Sequence, residues 1–258
     1  MALDQVVGDG SEKLRLGRPG TNATSVAFRS SLHETEVVAP WSDIDADALR
    51  TAVPWRTFRW WYRGQKHYSG TYWAATEKDH VVYESRLELA RLLLADFDTS
   101  VRGIVAQPFL LKSTFSGRER KHVPDFLLFT ADVPLVVDVK PRHRVTRPEN
   151  AVTFDWTRRL VESKGWRYQV FSEPPQAELE NVRFLAGYRR DWLFDLGLLE
   201  ELHTADLDGI PLKEALKAAP ASPRLSVRSA LLNLMWKQQF TFDLTTPLSR
   251  ATVLRRSR

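Results

Sequence analysis

The residues with the clearest chemical potential are two aspartates and a lysine on neighbouring apolar segments. Pro124-Asp125 leads into Phe126-Leu127-Leu128-Phe129, and Asp138-Val139-Lys140 closes Leu135-Val136-Val137. Ala131-Asp132-Val133-Pro134 between them is a turn-like break. A chain folded back about this break brings residues whose numbers sum to about 263 face to face, with Asp125 opposite Asp138. Side chains alternate along a strand, so Asp138 and Lys140 project to one side. Charges beside a core are costly unless they are paired or hold a cation. Paired carboxylates are good ligands for Mg²⁺ or Mn²⁺, hard ions that also bind phosphate oxygen. Such an ion polarises a phosphate and helps turn water into a nucleophile, and Lys140 is placed to orient that water and stabilise developing charge. The competing reading is a partly buried Asp–Lys ion pair at a hairpin end. A lone Asp-x-Lys fits that reading; the addition of Pro-Asp ahead of the previous strand favours phosphodiester chemistry.

A third carboxylate comes from the segment Tyr83 to Asp96, where good helix formers dominate and Leu87, Ala90 and Leu94 recur at three- and four-residue spacing. Glu84 and Glu88 are four residues apart and are expected on one face of this helix. A solvated face paired with Arg91 is the ordinary alternative. Glu88 directly follows Leu87 and sits close to the apolar stripe, which makes it the better ligand candidate. The histidines, including His122 and His143, show no metal-ligand spacing and read as structural or solvent-facing, or as touching phosphate. Neither a Gly-rich phosphate loop nor a Gly-x-Ser-x-Gly elbow is present, which argues against P-loop nucleotide hydrolysis and serine hydrolysis.

Charge points to nucleic acid. The net charge is +5, a modest excess that matters when clustered. From Arg50 to Thr76 there are five Lys or Arg residues and no acid, interleaved with tryptophan, tyrosine and phenylalanine. Arg56, Arg59, Arg63 and Lys66 in this stretch are candidate DNA contacts, as are Arg142 and Arg144 beyond Lys140. A twisted ribbon with core-facing rings and solvated arginines is the alternative. The chain lacks cysteine, so disulfides, thiolate zinc sites and cysteine nucleophiles are excluded. No apolar run reaches the roughly 20 residues that cross a bilayer, and the start lacks the pattern of a secretory signal. A protein that is neither exported nor membrane-spanning is expected, in the cytoplasm of a bacterial cell and at the nucleoid when acting.

Several elements must position these residues. With 258 residues, 43% of them apolar, the chain is long enough for one α/β domain and a small second one. Residues 1–40, rich in Gly, Ser, Thr and Asn, read as a poorly ordered or partner-dependent arm. Trp55 to Val82 suggests short strands with turns. Strand-like segments Val101–Leu111, Phe126–Phe129 and Pro134–Val139 follow the first helix. A second helix, Pro148–Lys164, leads into a strand at Tyr168–Phe171, an order that gives a mixed α/β sheet over residues 41–188. Val182–Leu202 looks helical, with a domain boundary near Gly187 to Asp191. Helical pieces at Pro211–Ala219 and Leu225–Gln238, then an alternating segment Phe240–Leu244, follow the order of a winged helix over residues 189–258.

From about Trp55 to Tyr188 the sequence resembles the TnsA-like endonuclease subunits of heteromeric transposases, within the restriction-endonuclease-like PD-(D/E)xK group. The likeness rests on Glu84-Ser85-Arg86-Leu87-Glu88-Leu89, Gln107-Pro108-Phe109, His122-Val123-Pro124-Asp125-Phe126-Leu127, Val137-Asp138-Val139-Lys140-Pro141 and Asn181-Val182-Arg183-Phe184-Leu185. The resemblance implies that Glu88, Asp125, Asp138 and Lys140 are catalytic. Glu88, Asp125 and Asp138 would hold Mg²⁺, with Mn²⁺ as a substitute, and Glu84 and Gln107 would support them. The position two before the lysine varies in the family between acid and glutamine, and here it is Asp138. The resemblance further implies cleavage of transposon 5′ ends, with a DDE-type transposase subunit processing the 3′ ends and an AAA+ ATPase regulating the complex. A winged-helix-like C-terminal domain would contact partners and DNA. A stand-alone nuclease of restriction or repair, and a catalytically silent DNA-binding adaptor, are the alternatives.

Overall fold

The computed structural model describes residues 24–32, 36–56, 68–115 and 118–257. In chain order, β1 (Thr24–Ser30), β2 (Val37–Pro40), β3 (Ala52–Val53), β4 (Gly70–Ala74) and β5 (Asp79–Tyr83) precede α1 (Arg86–Phe97). Five strands follow: β6 (Val101–Ala106), β7 (Leu110–Phe115), β8 (Arg118–His122), β9 (Phe126–Thr130) and β10 (Leu135–Val139). Then come α2 (Arg142–Val145), α3 (Pro148–Glu162), β11 (Arg167–Phe171), α4 (Gln176–Leu185), α5 (Leu196–Thr204), α6 (Leu212–Ala215), α7 (Arg224–Trp236), β12 (Phe240–Thr241) and β13 (Arg255–Arg256). Among the described residues no helix is long and apolar enough to cross a membrane.

The central sheet has the order β11-β10-β9-β6. β9 is antiparallel to both neighbours, whereas β11 runs parallel to β10 and is reached through α2 and α3, the long crossover a parallel pair needs. Both faces are covered, which is why β9 and β10 read as continuous apolar runs. One face, with Phe126, Leu128, Val137 and Val139, packs on Leu92 and Leu93 of α1 and on Val182 and Leu185 of α4. The other, with Leu127, Phe129 and Val136, meets Val26, Phe28 and Leu111 of the β2-β1-β7-β8 sheet and Phe154 and Leu160 of α3. This is the mixed α/β architecture of the restriction-endonuclease-like class.

Three readings of the sequence change. The segment Val101–Leu111 is two strands in different sheets, because Gln107 adopts φ 47° and turns the chain from β6 into β7. The stretch read as an unstructured arm holds β1, whose Val26 and Ala27 are fully buried and which pairs with β2, β3 and β7. Its first 23 residues lie outside the described residues. Val182–Leu202 is broken after Leu185 by 3-10 turns at Ala186–Tyr188 and Asp191–Leu193. Asp195 then caps α5 by accepting from the Leu198 N–H at 2.8 Å.

Residues 189–258, expected to form a winged-helix-like unit, consist of α5, α6, α7 and the two-residue ribbon β12–β13. The alternating segment stops at Thr241 because Asp243 turns back on the Thr245 N–H and hydroxyl at 2.9 and 2.6 Å. Leu198, Leu202, Leu231 and Trp236 belong to the same apolar cluster as Leu92 of α1. Asn181 of α4 donates to the Leu244 and Thr246 carbonyls at 3.0 and 2.8 Å and accepts from the Leu248 N–H at 2.8 Å.

Candidate active site

The β9–β10 register pairs Leu128 with Leu135, Leu127 with Val136 and Phe126 with Val137, which continues to Asp125 opposite Asp138. Asp125 precedes β9 and is fixed through its own backbone: its N–H donates to the Val137 carbonyl at 3.1 Å and its carbonyl accepts from the Gln107 N–H at 2.8 Å. Its Oδ2 accepts from the Val139 N–H at 2.6 Å. Gln107, expected beside the site, is the residue that ties these pieces together. It sits in the left-handed region, which a side chain other than glycine occupies at a cost. Its carbonyl accepts from the Trp55 N–H at 3.0 Å, and its Oε1 accepts from the Arg56 N–H at 3.1 Å. Lys140 extends the parallel ladder by donating its N–H to the Phe171 carbonyl at 2.9 Å.

Glu88 enters from α1. The pattern Ser85-x-x-Glu88 is a capping box. Ser85 Oγ accepts from the Glu88 N–H at 3.1 Å, while Glu88 Oε1 accepts from Ser85 Oγ at 2.8 Å and Oε2 from the Glu84 N–H at 2.7 Å. Glu84 therefore precedes the helix and does not share a helical face with Glu88. Its carboxylate pairs with Arg56 Nη1 at 3.1 Å.

The acids act on one another. Burial, then the charges of Glu88 and Asp138, push the Asp125 carboxyl well above the usual carboxylate range, while the Val139 N–H and the Lys140 ammonium pull the other way. Glu88 is raised as well, chiefly by burial. Asp138 is 2% exposed. His122 Nε2 lies 2.9 Å from both of its oxygens, and the Tyr168 hydroxyl donates to Oδ2. Burial and this carboxylate drive the Tyr168 hydroxyl far above its ordinary pKa.

Among the described residues no three acids or histidines are gathered around one point as a finished metal centre. The hydrogen bonds give the reason: Glu88 is turned to its cap, Asp125 to Val139, and Asp138 to His122 and Tyr168. The donor set nevertheless fits a hard cation. A carboxylate oxygen has two acceptor positions; among the described residues Asp125 Oδ1 accepts no hydrogen bond, and Glu88 and Asp138 each keep an unused position. Like charges pressed together under burial are stabilised by a cation among them.

The contacts of His122 and Tyr168 with Asp138 were not foreseen. His122 stands two residues before Pro124-Asp125, which was a signal of place but not of partner. Tyr168 reaches Asp138 only through the parallel pairing of β10 with β11, in which Val136 is opposite Tyr168 and Asp138 opposite Val170. No local pattern encodes that register.

Of the candidate DNA contacts, Arg56 is exposed but paired with Glu84. Arg59, Arg63 and Lys66 lie outside the described residues. Arg142 is held at the start of α2, where its N–H donates to Glu173 Oε2 at 3.0 Å and its Nη2 to the Glu173 carbonyl at 3.2 Å. Arg144 is exposed on the same short helix.

Residues 98–173 match the family described as TnsA-like endonuclease N terminal. The matched stretch runs from the end of α1 through β11 and contains Gln107, His122, Asp125, Asp138, Lys140 and Tyr168. Glu88 precedes it. The match supports a TnsA-like endonuclease of the restriction-endonuclease-like superfamily. No curated protein matches the chain.

Proposed function

We propose, from the match of residues 98–173 to the family described as TnsA-like endonuclease N terminal, that this protein is a metal-dependent DNA endonuclease cutting the 5′ strand at transposon ends within a heteromeric transposase. The observation that carries the reading is the buried Asp125 opposite Asp138 at the open end of the β9–β10 hairpin, where the charges of Glu88, Asp138 and Lys140 act on its carboxyl. Glu88, Asp125 and Asp138 would hold Mg²⁺, with Mn²⁺ able to replace it. Bound there, the cation supplies charge to the phosphate and acidifies a water. The backbone clamp on Asp125, from Val137 on one side and Gln107 on the other, keeps its carboxylate in place through the reaction. Lys140 Nζ holds the attacking water and neutralises charge that develops on the phosphate. In the hydrolysis the water oxygen bonds to phosphorus, one bridging P–O bond breaks, and the departing oxygen leaves protonated. Arg142 and Arg144, just beyond Lys140, and the basic stretch from Arg56 would track the DNA backbone, which gives salt-sensitive binding without sequence choice. Sequence choice would come from a DDE-type transposase, with an AAA+ ATPase regulating assembly.

The partner assignment is tested by mapping cut positions on transposon-end duplexes, with and without a DDE-type transposase. A Mg²⁺-dependent cut confined to the 5′ strand and appearing only with the transposase is expected. Efficient cutting of arbitrary DNA by the isolated protein would assign it to stand-alone restriction or repair.

A further inference from the structure

Asp138, a ligand in the proposed function, sits among groups that would not themselves bind the cation. Its carboxylate is among the most buried charged groups described, at 2% exposed, and it lacks a Lys or Arg within ion-pair distance among the described residues. A buried carboxylate is tolerated only when its oxygens are satisfied. Two groups from different elements do this: His122 at the end of β8 and Tyr168 in β11. Because Nε2 of His122 faces two carboxylate oxygens, it is the nitrogen that carries the proton. Oδ2 then accepts from both His122 and Tyr168 and is saturated, while Oδ1 accepts from His122 alone and keeps one acceptor position.

We propose that Tyr168 and His122 are positioning residues that lock the Asp138 carboxylate in a single orientation, so that it offers one oxygen, Oδ1, to the cation. The inference rests on the metal-dependent reading of this site. It follows from partners belonging to two strands outside the hairpin, β11 beside β10 in the central sheet and β8 in the other sheet: rotating the carboxylate to offer both oxygens would break the bonds to β8 and β11 together. A ligand fixed in this way loses no rotamer freedom when the cation arrives, and outer partners of this kind typically account for about 10- to 100-fold in metal affinity. Neither residue is assigned contact with the substrate here. Both act through Asp138.

The test uses the full chain and Mn²⁺ alone, followed by calorimetry or by the loss of the free-ion paramagnetic signal, without DNA. Tyr168→Phe keeps the ring, which is buried beside Val136, and removes only the hydroxyl. The variant should bind Mn²⁺ about 10-fold more weakly, and its cleavage should recover towards the wild-type rate as Mg²⁺ is raised, a change in metal requirement rather than in maximal rate. His122→Gln, which keeps a side-chain N–H donor, should lie between wild type and His122→Ala, and it serves as the second probe if Tyr168→Phe lowers the melting temperature so far that folded protein is scarce. Wild-type Mn²⁺ affinity in both Tyr168→Phe and His122→Ala overturns the positioning role while leaving the nuclease reading intact. Failure of the wild type itself to bind Mn²⁺ overturns both.

Discussion

At the scale of single residues, the site is a small group of carboxylates held closer than they would choose in water. Asp125 shows this best, since burial and the charges of Glu88 and Asp138 all raise its proton affinity. A folded-state carboxyl raised above its unfolded value near 4 binds more protons folded than unfolded between those two values. Stability is therefore greatest at the acid side of that window and falls as pH rises through it. In chelator, the melting temperature of the wild type should drop from mildly acidic to neutral pH. Mg²⁺ should raise it most at the neutral end, and Asp125→Asn should flatten the drop. Thermal melts across pH measure this directly; a wild-type curve unchanged by pH and by Mg²⁺ contradicts the electrostatic account. The pairing of Asp125 with Asp138 was legible from residue numbers because a hairpin with an unambiguous turn fixes its own register. The contacts of Asp138 with His122 and Tyr168 were not, because both partners lie on strands separated from β10 in sequence by other elements.

At the scale of elements, α1 carries both the expected ligand and an anomaly. Ser85 starts the helix and Glu88 closes the cap, so one short motif sets the helix boundary and aims the carboxylate. The spacing of leucines predicted the helix but placed its start too early, which put Glu84 on it. The capping serine was the signal that decides the boundary. One turn further on, Arg91 is buried at 9% exposure with Nε unbonded, its guanidinium lying 5.5 Å from the centre of the Phe171 ring. Burial pushes it down to about 10. The alternative reading of the helix face had Arg91 paired with its acids in solvent; Arg91 is instead inside, without an ion-pair partner among the described residues. An unsatisfied buried donor costs about 1–3 kcal/mol, so Arg91→Met should stabilise the protein by about 1 kcal/mol in urea unfolding. Loss of stability in that variant would show that the guanidinium is bound to something in solution. The other misplaced boundary, at Gln107, has a different cause. A positive φ at a non-glycine residue is imposed by the tertiary contacts around it, here the hydrogen bonds to Asp125, Trp55 and Arg56, and leaves no mark in composition.

At the scale of the molecule, the central sheet is held between two apolar clusters, and the site opens where β9, β10 and β11 reach the end of both. The mixed α/β class was legible because strands in a row followed by helix and strand leave few arrangements. The role of β1 was not, since a seven-residue strand among polar neighbours has no period long enough to announce it, and its burial depends on β7 and β2. The continuity of one cluster from Leu92 through Leu185 to Leu231 likewise joins the central sheet to the C-terminal helices in a way that composition did not reveal. In the proposed function, Asp125, with Glu88, Asp138 and Lys140, would cut DNA in the presence of a divalent cation. The most direct measurement compares cleavage of a transposon-end duplex by the wild type, Asp125→Ala and Lys140→Ala, with the transposase present, in Mg²⁺ and in chelator, while DNA binding is followed in parallel. The account predicts cutting by the wild type in Mg²⁺ alone and a loss of at least about 100-fold in both variants, with binding retained. Equal cutting by Asp125→Ala, or cutting by the wild type in chelator, would contradict it.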